Sequence, residues 1–139
     1  MALFSPILPL IMGGKTKFQP VYVVDVCKGV IKILKQDTIN QQIYEFGGPE
    51  IYTFQDLMKI LLKIINRKRF LLYIPKTVAV FLATILEFFS IPLLTKDQIK
   101  LLEKDNIVSN KGLNLKDLNV NPVSLELIGS DYLKRFVKK

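Results

Sequence analysis

The segment that most constrains the fold covers residues 19–35, where the pattern of a strand passes directly into that of a helix. Residues 20–24 are rich in β-branched and aromatic side chains and open with a proline, which predicts a short strand. Asp25 follows, and an aspartate at this place commonly accepts hydrogen bonds from the free amides of a first helical turn. Apolar residues then recur at helical spacing, with lysines on the opposite face. The segment therefore predicts a strand that leads into a capped helix.

The rest of the chain extends this unit into an α/β fold. Further strands are predicted at residues 43–46 and 70–74, and helices after Thr53, over residues 77–89 and 96–104, and from Ser124 onward. Capping boxes mark two helix starts, Thr53 with Asp56 and Thr95 with Gln98. Residues 105–118 show no regular pattern. Three short strands and about five helices give too few strands for a complete doubly wound sheet, so the expected fold is a partial α/β assembly.

Residues 1–19 are expected to form a connector and a hairpin. Residues 8–12 and 15–19 flank Gly13-Gly14, a pair that readily supplies the positive φ angles of a two-residue turn. The apolar start is interrupted by Pro6 and Pro9 and lacks a basic leading region, so it does not resemble a signal peptide. We assign residues 20–139 to the main domain and expect residues 1–19 to be the remnant of a junction with a further domain upstream.

The amino-acid composition of the chain limits the classes of function that it can have. The 139 residues suit one domain, half of them are hydrophobic, and the formal charge is +8. Most basic residues are lysines spread over helix faces, and only residues 66–69 form a cluster, so nucleic acid is not the expected partner. The absence of histidine excludes Ser-His catalysis and many metal sites. The one cysteine, Cys27, fits a reducing compartment and is predicted to be a small core residue.

No motif marks a catalytic or metal site. The pairs Gly13-Gly14 and Gly47-Gly48 lack the spacing of a dinucleotide-binding loop, so both are predicted to be turns. Asp25, Asp56 and Asp97 all fall at or near predicted helix starts, where the helix dipole favours acids, so they are expected to be caps rather than catalytic carboxylates.

The polar residues most open to a functional interpretation lead into the first predicted strand. Lys17, Gln19 and Tyr22 are the candidate cofactor contacts, and Lys15 lies beside them. The alternative is a solvated hairpin with one half-buried tyrosine. We therefore expect these residues to make at most peripheral ligand contacts.

Three stretches carry a resemblance to a known family. Residues 19–29 read Gln-Pro-Val-Tyr-Val-Val-Asp-Val-Cys-Lys-Gly, residues 44–57 read Tyr-Glu-Phe-Gly-Gly-Pro-Glu-Ile-Tyr-Thr-Phe-Gln-Asp-Leu, and the third stretch joins residues 94–98 and 102–109. The first two resemble the segment after the cofactor domain of extended and atypical short-chain dehydrogenase/reductases, the NAD-dependent epimerase/dehydratase family. With the third, the resemblance is strongest to the nucleotide-binding accessory subunit of respiratory complex I and its bacterial relatives.

This resemblance implies the small C-terminal, substrate-side portion of a Rossmann-type extended reductase. In the family, the glycine-rich loop, the acidic residue after the second strand and the Tyr-x-x-x-Lys pair lie upstream, and none occurs here. The resemblance therefore implies no cofactor for this chain alone, NADP or NAD in the complete family member, and a missing dinucleotide-binding domain as partner. Complex I subunits or the inner face of a membrane are further expected partners. The implied location is cytoplasmic or peripheral on the inner membrane face, which is the matrix side in a eukaryote.

Three functions remain open at this point. The chain is a non-catalytic part of a complex I accessory or assembly protein, the substrate-binding half of an NAD(P)-dependent reductase or epimerase, or a basic module that binds a membrane surface or nucleic acid. Sugar-nucleotide epimerases carry an arginine just before the first predicted strand. Phe18 stands about there with Lys17 beside it, which disfavours a nucleotide-sugar substrate.

The predicted helix at residues 77–89 is apolar nearly all round. Val78, Phe81, Leu82, Ile85 and Phe89 line one face, and further apolar residues widen it beyond what one sheet usually covers. This helix lies in a longer apolar zone over residues 70–94, which Pro75, Lys76, Glu87 and Pro92 interrupt, so no uninterrupted stretch is long enough to span a bilayer. We expect it to be a docking surface or, as the alternative, an ordinary helix buried between the sheet and the next helix.

Overall fold

The computed structural model describes residues 6–36, 42–88, 94–109 and 111–137, without the side chains of residues 87, 88 and 135. It confirms a mixed α/β fold with short strands in two small sheets and five α-helices among the described residues. The strands are β1 (Ile7–Ile11), β2 (Lys17–Phe18), β3 (Tyr52–Thr53) and β4 (Phe70–Ile74). The α-helices are α1 (Val23–Leu34), α2 (Phe54–Ile64), α3 (Lys76–Phe88), α4 (Lys96–Leu101) and α5 (Leu125–Leu133).

The predicted N-terminal hairpin is wrong. Strand β1 pairs in parallel with β4, from Ile7 opposite Phe70 to Ile11 opposite Ile74, and β2 instead pairs antiparallel with β3. The reason lies in the turn, where Gly13 and Gly14 do have positive φ angles of 73° and 62°. They form a single 3₁₀ turn over Met12–Gly14 that carries the chain out of the first sheet rather than back along it. The domain boundary after residue 19 stays a prediction.

The strand predicted at residues 20–24 is also wrong, because helix α1 already begins at Val23. Tyr22 holds the N-cap position, and Asp25 lies inside the first turn with its carboxylate fully buried. Cys27 is exposed rather than in the core, because it lies on the solvent side of this helix. Among the described residues no strand pairs with residues 20–22, which lead into α1.

Some of the other predicted elements are confirmed, and others are shorter than predicted. Both capping boxes form, and β4 has the predicted bounds. The predicted strand at residues 43–46 is a single bridge between Tyr44 and Leu113. Helix α3 begins one residue earlier than predicted, with residue 89 outside the described part, and α4 ends at Leu101 rather than at residue 104. Ser124 is the N-cap of α5, but its side chain makes no capping hydrogen bond.

The core consists of three clusters placed around these elements. Because side chains alternate along a strand, β1 contributes to clusters on both faces of its sheet. The first cluster joins β1 to α3 and α4, the second joins β1 to α2, and the third packs under α1. Their buried members are Ile11, Ala79, Ala83 and Ile99; Leu8, Leu62 and Ile65; and Leu115, Leu118 and Val120.

Helix α3 buries its alanines and exposes several of its large apolar residues. Ala79 and Ala83 are fully buried, packed in the first cluster. The expected outer face is present, and its described members are all exposed: Val78, Phe81, Leu82 and Ile85. The alternative of an ordinary buried helix therefore does not describe this side of α3.

Candidate functional site

Lys17 takes part in the fold through its main chain. Its amide donates to the Asp105 carboxylate at 2.8 Å, and its carbonyl accepts from the Asn106 amide at 2.8 Å. The side chain is exposed. These bonds fix the backbone of β2 against the segment after α4 and leave the ammonium group at the surface.

Gln19 uses both ends of its side-chain amide within the protein. Its Nε2 donates to the Gly48 carbonyl at 2.8 Å, and its Oε1 accepts from the Val108 amide at 3.1 Å. Its own amide donates to the Asn106 carbonyl at 3.1 Å. A ligand would have to compete with these bonds for the side chain, so the geometry gives Gln19 a clamping role between three chain segments.

Tyr22 lies away from the polar contacts of Gln19, on an apolar groove. Its ring meets that of Tyr132 edge to face, with 6.4 Å between the centroids. Loss of water around the phenol raises the pKa of Tyr22, and Tyr132 and Asp25 raise it further. Tyr22 is therefore a neutral hydrogen-bonding group at physiological pH.

The groove beside Tyr22 is open and has a volume of about 350 Å³. It lies between the segment that enters α1 and the helix α5. None of its lining residues is charged: Pro20, Val21, Tyr22, Val23, Val123, Ser124, Leu125, Ile128, Gly129, Tyr132 and Leu133. Such a lining suits an uncharged apolar group and offers no cation to a pyrophosphate. Lys17 and Gln19 thus both bond to Asn106 in the segment after α4. Tyr22 lies elsewhere and lines the apolar groove.

Asp25 connects helix α1 to the segment before α5. Its side chain is fully buried, and its Oδ2 accepts from the Val123 amide at 2.8 Å. Its Oδ1 lies 3.0 Å from Lys28 Nζ. The sequence predicted a helix cap, but the carboxylate instead ties α1 to the segment before α5. A single aspartate in a helix start gives no signal for a partner 98 residues away.

A second polar pair, Glu45 with Ser109, was not singled out from the sequence. The Ser109 hydroxyl donates to Glu45 at 2.6 Å, and the Ser109 amide donates to the other carboxylate oxygen. These bonds lower the pKa of Glu45 below its usual value. A carboxylate with a lowered pKa is a weaker base, so the pair is poorly suited to activate the serine as a nucleophile. It instead fixes the loop that also carries Val108.

The prediction of a turn is confirmed for Gly13-Gly14, whereas Gly47-Gly48 forms no turn and is instead a close approach between two chain segments. A Cβ on Gly48 would lie 1.9 Å from the Pro20 carbonyl oxygen, and one on Gly14 would lie 3.0 Å from the Gln55 amide. At both positions another segment of the protein therefore lies directly against the glycine.

The described residues form neither a metal site nor a membrane-spanning helix. Within the part of the chain that the structure describes, no three histidine, cysteine, aspartate or glutamate side chains come together as a metal ion would need. Across the same residues, no helix has both the length and the apolar character to cross a bilayer.

The chain is similar to subunits of mitochondrial NADH dehydrogenase. It is 35% identical, over 94% of its length, to NADH dehydrogenase (ubiquinone) 1 alpha subcomplex subunit 9 of Arabidopsis thaliana. It is 31% identical over 92% of its length to the Mus musculus protein of that name, and 24% identical over 89% to the NADH-ubiquinone oxidoreductase 40 kDa subunit of Neurospora crassa. It spans 35%, 34% and 33% of these relatives, which is about a third of their length. No family model matches the chain. The similarities confirm the resemblance to the complex I subunit that the three motifs indicated.

Proposed function

We propose that this chain is the C-terminal, substrate-side part of an accessory or assembly subunit of respiratory complex I, and that it acts structurally rather than as a catalyst. The observation that carries the proposal is the similarity to complex I subunits over nearly the whole chain, at 35% identity to the Arabidopsis protein. The motifs that carry the resemblance are the stretches that Gln19, Gly48 and Val108 hold together.

The chemistry of the described residues supports a non-catalytic role. The apolar groove has no charged lining residue, and the lowered pKa of Glu45 makes it a poor base for Ser109. The chain has no histidine and no Tyr-x-x-x-Lys pair to relay a proton during hydride transfer. We therefore propose that this part contributes a docking surface to the larger assembly.

For the cofactor, we propose that tight dinucleotide binding belongs to a dinucleotide-binding domain that partners this one, with NADP or NAD as the ligand. Lys17 and Tyr22 are the groups left for peripheral contact, because the Gln19 amide is already bonded at both ends. Calorimetry of the isolated chain with NADPH and NADH is expected to show no binding in the micromolar range. Micromolar affinity for either dinucleotide would contradict this assignment.

For location, we propose a peripheral place beside complex I at the inner membrane face, on the matrix side in a eukaryote. The test is affinity purification of the tagged chain from solubilised membranes, followed by native electrophoresis with an in-gel NADH dehydrogenase stain. Co-migration with the stained complex is the expected result. A negative control is the Gly48→Ala chain, which is expected to misfold because its Cβ would lie 1.9 Å from the Pro20 carbonyl oxygen. A tagged chain that migrates apart from the complex would overturn the proposal.

The groove favours one second candidate, the substrate-binding half of an NAD(P)-dependent reductase. Its volume of about 350 Å³ can hold a small apolar group beside the Tyr22 phenol. Supplying a separate dinucleotide-binding domain and measuring NADPH oxidation with uncharged carbonyl substrates tests this candidate. Turnover that is lost in Tyr22→Phe would favour the reductase over the structural role.

A further inference from the structure

One face of the β1–β4 sheet is only partly covered. Ile11 and Ile74 lie in the cluster that packs against α3. Because side chains alternate along a strand and Ile7 is opposite Phe70, residues 7 and 9 of β1 and residues 70 and 72 of β4 lie on this same face. Yet Phe70 is 81% exposed and Leu72 is 52% exposed. Helix α3 therefore covers one end of the face and leaves the other end bare, although parallel strands are normally covered on both faces.

Helix α3, which packs on this same face, also exposes large side chains. Ala79, Ala83 and the partly buried Val80 face the core, and four other large apolar side chains of α3 lie on the solvent side. We call the combined patch the apolar surface, and its members are Ile7, Phe70, Leu72, Val78, Phe81, Leu82 and Ile85. An exposed patch with this many large apolar side chains marks an interaction site, since soluble monomers rarely expose one.

The segment that carries most of the apolar surface is basic. From residue 57 to residue 86 the chain has six basic residues and no acidic one. Lys68 lies two residues before Phe70, and Lys76 is the first residue of α3. Lys76 pairs with Glu103 at 3.0 Å, but both side chains remain partly exposed, so this pair is weak and easily exchanged. Lys68 and Lys76 therefore each lie within two residues of a member of the apolar surface, with Glu103 as the acidic group beside Lys76.

We propose that the apolar surface docks on an anionic phospholipid bilayer, with Phe81 and Phe70 entering the headgroup region and Lys68 and Lys76 contacting lipid phosphates. Apolar side chains bordered by lysines match an anionic interface, whereas the cores of protein interfaces are depleted of lysine. This inference adds a contact surface to the peripheral location proposed above. It rests on the proposed function only for the identity of the membrane.

The test is co-sedimentation of the 139-residue chain with vesicles of phosphatidylcholine and phosphatidylglycerol, and with vesicles of phosphatidylcholine alone. Wild-type chain is expected to bind the anionic vesicles and to release them as salt is raised. Phe81→Asp is expected to weaken binding by at least about tenfold, because it removes an exposed aromatic ring that enters the headgroup region on binding and adds a charge that anionic lipid repels. Lys68→Gln is expected to weaken binding roughly fivefold.

Matched controls come from the opposite side of the molecule. Leu127 on α5 is exposed to 66%, as Phe81 is, and α5 packs with α2 on the other face of the sheet. Leu127→Asp should therefore bind vesicles like the wild type, as should Lys116→Gln, which alters an exposed lysine in a distant loop. Thermal melting checks the fold of each variant. Should Phe81→Asp melt far below Leu127→Asp, the comparison of Lys68→Gln with Lys116→Gln carries the test.

Several outcomes overturn the inference. Equal binding of Phe81→Asp and Leu127→Asp, or equal wild-type binding to both kinds of vesicle, would contradict it. The wild-type chain could fail to bind vesicles while Phe81→Asp fails to co-purify with complex I. That pair of results would contradict the inference and identify the apolar surface as a protein interface instead. A chain that binds anionic vesicles but does not co-purify with complex I would support the inference and refute the proposed function.

Discussion

Replacing Asp25 by alanine should destabilise the chain more than any change on the surface of α1. The Asp25 carboxylate is fully buried and accepts from the Val123 amide at 2.8 Å. Its removal deletes a hydrogen bond to a charged acceptor and leaves the Val123 amide without this partner. Bonds of this kind contribute about 1.5–3 kcal/mol, and an unpaired buried donor costs about 1–3 kcal/mol more.

The Lys28 pair adds little to this sum. The ammonium group is 3.0 Å from the carboxylate, but the Lys28 side chain is 55% exposed and can return to water. An exposed partner of this kind contributes about 0–1 kcal/mol. We therefore expect Asp25→Ala to lower the free energy of unfolding by about 3 kcal/mol and Lys28→Ala by less than about 1 kcal/mol.

Urea denaturation followed by circular dichroism measures both changes. For a chain of this length, a loss of about 3 kcal/mol corresponds to a fall in melting temperature of about 10 °C. Asp25→Asn provides a graded control, because its carbonyl oxygen still accepts from Val123 while its charge is gone. The expected order of stability is wild type, Lys28→Ala, Asp25→Asn and Asp25→Ala. Equal losses in Lys28→Ala and Asp25→Ala would refute the reasoning, since the tie to Val123 would then contribute nothing.

Three further predictions concern separate contacts. Thr53→Ala removes the capping box of α2 and should cost about 1 kcal/mol in urea denaturation, with an unchanged stability counting against the box. Gly48→Ala places a Cβ 1.9 Å from the Pro20 carbonyl oxygen, so the variant should lose cooperative thermal melting; normal melting would show that the segment can move aside. Hydrogen bonds from Ser109 lower the pKa of Glu45 below its usual value of 4.5, so this contact stabilises the fold above that pH and is lost as pH falls through the lower folded value. Acid titration of Ser109→Ala should show a smaller loss of stability over this range than the wild type, and an identical loss would contradict the assignment.

The local features of the fold could be predicted from the sequence, because they depend on neighbouring residues. Thr53 and Thr95 form their capping boxes with residues three positions later, and β4 is bounded by a basic run and a proline. The glycines at 13 and 14 do adopt positive φ. What these local signals could not specify was pairing, since β1 finds its partner about 60 residues away rather than across the turn.

The errors around α1 have the same origin. Val23 and Val24 favour a strand when taken alone, but no strand in the described part of the chain pairs with them, and they are exposed in the first turn of a helix. The tie from Asp25 to Val123 stabilises that earlier helix start. Of the candidate site residues, Lys17 and Gln19 could be recognised as polar groups on a connecting segment, but the partners of the Gln19 amide lie in two distant parts of the chain. A side chain's partner across the fold is not encoded in its own neighbourhood.

The contacts of Gln19 connect the three stretches of sequence that carry the resemblance to the complex I subunit. Gln19 belongs to the first of the three stretches that carry the resemblance, Gly48 to the second and Val108 to the third. All three meet at one side-chain amide, which donates to the Gly48 carbonyl and accepts from the Val108 amide. Such a junction fixes how the three segments pack, because losing either bond would leave a part-buried polar group unpaired. The junction gives these segments an architectural role, and association with complex I rather than turnover therefore most directly tests the proposed function.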